Sequence, residues 1–111
     1  MSTSSAAGET AEWVPVNFEK AEILPGAKPG SHILKVTGHT PSASGDGCPV
    51  KLQPSVYVVQ PEYWRIEVMW NRHNAIFQSL CAYEVSIPLD RFQGKKGIEV
   101  VGEDNSEKIT I

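Results

Sequence analysis

Two cysteines, Cys48 and Cys81, and three histidines, His32, His39 and His73, carry most of the chemistry available to this 111-residue chain. Thiolate sulfur with imidazole nitrogen suits copper or zinc, and His39, His73, Cys48 and Cys81 are the candidate ligands, with Met69 as a further soft donor. No two of them stand at Cys-x-x-Cys or His-x-x-x-His spacing, so a metal site requires the fold to bring them together. The same residues allow a nucleophile reading, with Cys81 activated by His73 or His39. Cys81 falls on the apolar side of a strand pattern, however, where a reactive thiolate is poorly supported. The third use of the pair is a disulfide. Joining Cys48 to Cys81 closes a ring of 34 residues, which contributes about 3–4 kcal/mol through loop-closure entropy. Two buried free thiols fit the residue pattern as well as a bridge does.

The remaining candidates are weaker as chemistry. Glu62 with Glu67, and Glu103 with Asp104, read as solvated faces and turns, not as an acid/base dyad. Gly45-Asp46-Gly47 lacks the lysine, the spacing and the following helix of a phosphate loop. Tyr57, Tyr63, Arg65 and Met69 are of the types enriched at contact surfaces, and on one outer sheet face they could receive a protein or stack on a glycan. They could equally pack against a second layer.

The elements that must position these residues are strands. Tyr63–Trp70 is the clearest, with Trp64, Ile66, Val68 and Trp70 on one side and Tyr63, Arg65, Glu67 and Met69 on the other. Phe18–Leu24 reads as a strand whose phase changes near Lys20, as a bulge would produce. Ser31–Gly38 places Leu34 and Val36 inward and Ile33 outward. Cys48–Leu52 is a short strand ended by Pro54, and Ser55–Gln60 is a stronger one, before a corner at Pro61-Glu62. Residues 75–80 fit a helix or a strand, and 81–89 is a strand with Pro88 at its end or on an edge. Ile98–Val101 and Lys108–Ile111 form a hairpin around Glu103–Ser106, with Ile98 and Val100 matched to Ile109 and Ile111. The 39–47 stretch is a long polar loop of the kind that can carry function.

Seven or eight short strands at intervals near ten residues predict an all-β, antiparallel β-sandwich, with an immunoglobulin-like arrangement as the first choice and a small barrel as the second. The order Cys48…Trp64…Cys81 does not have antibody-domain spacing, and no tyrosine stands two residues before Cys81. Residues 1–12 are expected to be a disordered tail and 13–111 a single domain.

Composition narrows the function classes. Ten basic against 13 acidic residues give a formal charge of −3, which argues against nucleic acid as partner. The one basic cluster, Lys95-Lys96 after Arg91, is too short to reverse that. No stretch approaches the length of a membrane span. The N-terminus lacks the basic and apolar parts of a secretory signal, which predicts the cytoplasm, or an extracytoplasmic location if a signal was trimmed. Asn105-Ser106-Glu107 is not a glycosylation acceptor. The sequence therefore predicts a non-catalytic binding or interaction module without cofactor, with a small copper- or zinc-binding protein as the alternative and a cysteine hydrolase third.

Overall fold

The structure, a computed structural model, describes residues 12–41, 48–72 and 79–111. Eight strands run in chain order: β1 (Trp13–Pro15), β2 (Lys20–Pro25), β3 (His32–Thr40), β4 (Val50–Pro54), β5 (Tyr63–Asn71), β6 (Cys81–Pro88), β7 (Gly97–Val101) and β8 (Ser106–Thr110). They form a five-stranded and a three-stranded sheet, and no helix occurs among the described residues. The two layers make a β-sandwich, not a closed barrel.

β5 is the axis of the larger sheet. Ile66 is paired with Pro54 of β4 and Val100 of β7, and Trp70 with Val50 of β4 and Val14 of β1. A strand has two edges, so β4 takes one and β7 followed by β1 takes the other. β5 and β7 run parallel, and β8 closes onto β7 antiparallel. In the smaller sheet β3 lies between β2 and β6, both antiparallel to it.

Alternation along β5 is as the residue pattern requires: Ile66, Val68 and Trp70 are buried, and Arg65 is exposed. Across the gap lie Leu34 and Val36 of β3 and Tyr83 of β6, with Ile98 and Val100 of β7 completing the core. Trp64 is only half-buried, at the end of this row.

The phase change near Lys20 is not a bulge. It marks the crossing from one sheet to the other. β1 belongs to the β5 sheet and β2 to the β3 sheet, so Val16 and Phe18 plug the core during the transit. The Val16 N–H donates to Val68 O at 3.0 Å and the Glu19 N–H to Thr37 O at 2.8 Å, one bond to each sheet. The tip between β7 and β8 holds the crossing in place: the Asp104 N–H donates to Asn17 Oδ1 at 2.6 Å and Asn105 Nδ2 to Phe18 O at 2.7 Å.

Tyr83 adds a third anchor, its hydroxyl donating to Asn17 O at 2.8 Å. Its ring lies across Gly38, the residue paired with it on β3, where a Cβ would come within 2.6 Å of the hydroxyl. Burial, reinforced by the charge of Glu19, pushes the Tyr83 phenol up to about 12 from an ordinary 10. A raised folded-state value means that this contribution is intact below pH 10 and is lost as pH climbs toward 12. Denaturant midpoints measured across that range should fall more steeply for the native protein than for Tyr83→Phe. Equal slopes would remove Tyr83 from the alkaline transition.

Three further expectations need correction. Ser55–Gln60 is not a strand: the chain leaves the ladder after Pro54 and bends at Val58-Val59 before rejoining it at Tyr63. In the terminal hairpin Ile98 faces Ile109, but Val100 faces Glu107 and Ile111 lies beyond the ladder. The sheet holding β5 is mixed, because β5 and β7 are parallel. The helix-or-strand question at 75–80 falls largely outside the described residues, and so do most of the 39–47 loop and the N-terminal tail.

Candidate functional site

The described sulfur chemistry is spent on a disulfide. Cys48, just before β4, is bonded to Cys81, the first residue of β6, with Cα atoms 6.1 Å apart. The bond ties the five-stranded sheet to the three-stranded one. It withdraws both sulfurs from the metal set and from the nucleophile reading, since each needs a thiolate. His39 pairs instead with Glu19, Nδ1 to Oε2 at 2.6 Å, and His73 lies outside the described residues. Among the described residues no group of three or more His, Cys, Asp and Glu side chains is placed to hold a metal.

The acids are placed as solvated partners. Glu62 lies 3.6 Å from Lys96 and Glu67 3.5 Å from Arg65. Tyr63, Arg65 and Met69 do share the outer face of β5, as the alternation predicts. There the Tyr63 hydroxyl is 3.4 Å from Thr110 Oγ1, Lys108 Nζ stands 5.2 Å from the Tyr63 ring centre, and Lys51 Nζ caps the Trp13 ring at 4.3 Å. Arg65, Glu99 and Lys108 follow one another across three strands with alternating sign. This face is a charge-matched, water-facing sheet surface.

Tyr57 is elsewhere. Its ring meets Trp64 edge-on with centroids 5.0 Å apart, and Trp64 meets Phe92 at 6.0 Å. The Trp64 indole N–H donates to Ser55 O at 2.9 Å, and the Tyr57 hydroxyl accepts from the Arg65 N–H at 3.3 Å. Tyr57 therefore folds back as an anchor for the β4–β5 loop. Its neighbours point outward: Val56, Val58 and Val59 are 96%, 103% and 75% exposed.

The returning arm of this loop is stapled to the β6–β7 loop. Gln60 Nε2 donates to Gln93 O at 2.9 Å, and the N–H groups of Lys95 and Lys96 donate to Pro61 O and Glu62 O, each at 2.8 Å. Gly94 sits so close to Glu62 O that a Cβ there would collide with it. The result is a fixed stem with an apolar tip. Three valines held in water are unusual, because exposed apolar groups in a cluster are costly unless something covers them.

The strand registers put several loops at this same end of the sandwich: 26–31 after β2, 55–62 after β4 and 89–96 after β6. Between the first and third lies a shallow cleft of about 180 Å³ lined by Lys28, His32, Ile33, Pro88 and Asp90 among others. That is small against the ~300–1,000 Å³ of typical ligand pockets.

Sequence reasoning missed the three valines by reading their β-branched run as a strand. The prolines that bracket the run, Pro54 and Pro61, were no signal against a strand, because Pro15, Pro25, Pro54 itself and Pro88 all end strands that pair. Comparison with protein-family models, with curated proteins and with solved structures gives no match.

Proposed function

We propose that this protein is a non-catalytic binding module whose contact surface is the end of the sandwich formed by the β4–β5 and β6–β7 loops. The observation that carries the reading is the exposure of Val56, Val58 and Val59 on a loop whose stem is hydrogen-bonded and whose Tyr57 is tucked inward. A tip that merely tolerated mutation would have no reason to combine a fixed stem with an uncharged run from Leu52 to Pro61. The inter-sheet disulfide supports an oxidising, extracytoplasmic location, where such bonds persist. An immunoglobulin-like arrangement is supported by the two facing sheets and the bond between them, and must accommodate the parallel β5–β7 pair.

Photo-crosslinking tests the proposal whatever the partner is. A photoreactive residue at position 58 should give adducts in the protein's native setting, whereas one at position 65 on the sheet face should give few. The reverse pattern contradicts the proposal.

A further inference from the structure

Charge is unevenly divided between the two ends of the sandwich. Loops 26–31, 55–62 and 89–96 together hold Lys28, Arg91, Lys95 and Lys96 against Glu62 and Asp90, a balance of +2. The chain as a whole is −3, which leaves −5 for the rest. Arg91, Lys95 and Lys96 are exposed, and the Lys95 and Lys96 backbone is bonded to the arm of the loop that carries the valines. Ile111, 39% exposed, adds an apolar group beside them through its N–H bond to Lys96 O at 2.9 Å.

On the basis of the contact surface proposed above, we infer that this end docks onto an anionic lipid surface. Val56, Val58 and Val59 enter the boundary between headgroups and acyl chains while Lys28, Arg91, Lys95 and Lys96 face the headgroups. The exposure favours lipid over protein: the valine side chains project into water, and a fluid apolar phase accepts them without a preformed groove. The charge supplies the second half. Shallow insertion and a few basic residues are each marginal alone, and together give reversible binding. Glu62, 3.6 Å from Lys96, and Asp90 offset part of the basic rim, and the balance of +2 is what remains to face the headgroups. No helix of the described residues is long and apolar enough to cross a membrane, so attachment of this kind is peripheral to the sandwich.

Vesicle sedimentation of the full chain is the test. The protein should pellet with phosphatidylcholine vesicles containing about one third phosphatidylserine, and should bind roughly tenfold or more weakly to phosphatidylcholine alone or in ~0.5 M salt. The combined Val56→Ser, Val58→Ser and Val59→Ser variant should lose about tenfold or more while keeping its unfolding midpoint, since these side chains make no core contacts. Lys95→Glu with Lys96→Glu should weaken binding to a similar degree. Failure of the native protein to pellet with either vesicle overturns the inference, and so does undiminished binding by the triple-serine variant. If position 58 crosslinks to a protein while vesicles are ignored, the lipid inference falls and the binding-module reading stands. If position 58 gives no adduct of any kind, both fall.

Discussion

Replacing Ile66 with alanine is expected to cost about 4 kcal/mol, enough to unfold a large fraction of a domain of ordinary stability. Ile66 is fully buried at the position where β4 and β7 pair with β5 from opposite edges. Strands on either side leave little room for collapse into the vacated space, so the cavity penalty adds to the lost transfer energy. Urea denaturation measures the loss directly. A cost below about 1 kcal/mol would mean that the sheet assigned to β5 is wrongly paired. Arg65→Ala, one residue along and exposed, should stay within about 0.5 kcal/mol of the native protein.

The second large effect is loss of the Cys48–Cys81 bridge. It spans 33 positions and encloses β4, the apolar loop and β5. Opening it, by reduction or by paired Cys48→Ala and Cys81→Ala substitution, is expected to lower stability by about 3–4 kcal/mol, chiefly by freeing the unfolded chain. The core should survive the change, because Leu34, Ile66 and Val68 do not depend on the bond for their burial. Thiol counting under denaturing conditions should find two thiols with reductant and none without. Two thiols without reductant would return both sulfurs to the metal-binding alternative.

Much of the fold was legible because strand alternation is a short-range signal. The inward set of β5 follows from a period of two, whatever lies beside it. So do Tyr83, Val85 and Ile87 on β6, all three packed into the core or against it. The disulfide was legible as one option among four, because residue types name the candidates while only the fold sets their distance. What the sequence hid is non-local. The switch of sheets between Pro15 and Lys20 looks like a change of phase within one strand, since Phe18, in the crossing, and Ile23, in β2, both pack on the same core. The parallel β5–β7 pairing leaves no trace in either strand alone.

The β4–β5 loop was misread for a related reason. Val56-Tyr57-Val58-Val59 has high strand propensity, and propensity does not say whether a neighbouring strand exists. The conflict between a strand-forming run and its unpaired state is what singles the loop out for the proposed contact surface. Tyr57, assigned to an outer face with Tyr63, Arg65 and Met69, instead turns inward onto Trp64, and the residues flanking it are the ones left in water.

The most direct test of the contact surface compares photo-crosslinking at position 58 with crosslinking at position 65 in the same preparation. Adducts are expected at 58, on the fixed apolar tip, with close to background at 65, on the charge-matched sheet face. Adducts concentrated at 65 would contradict the proposed surface and move it to the outer face of β5.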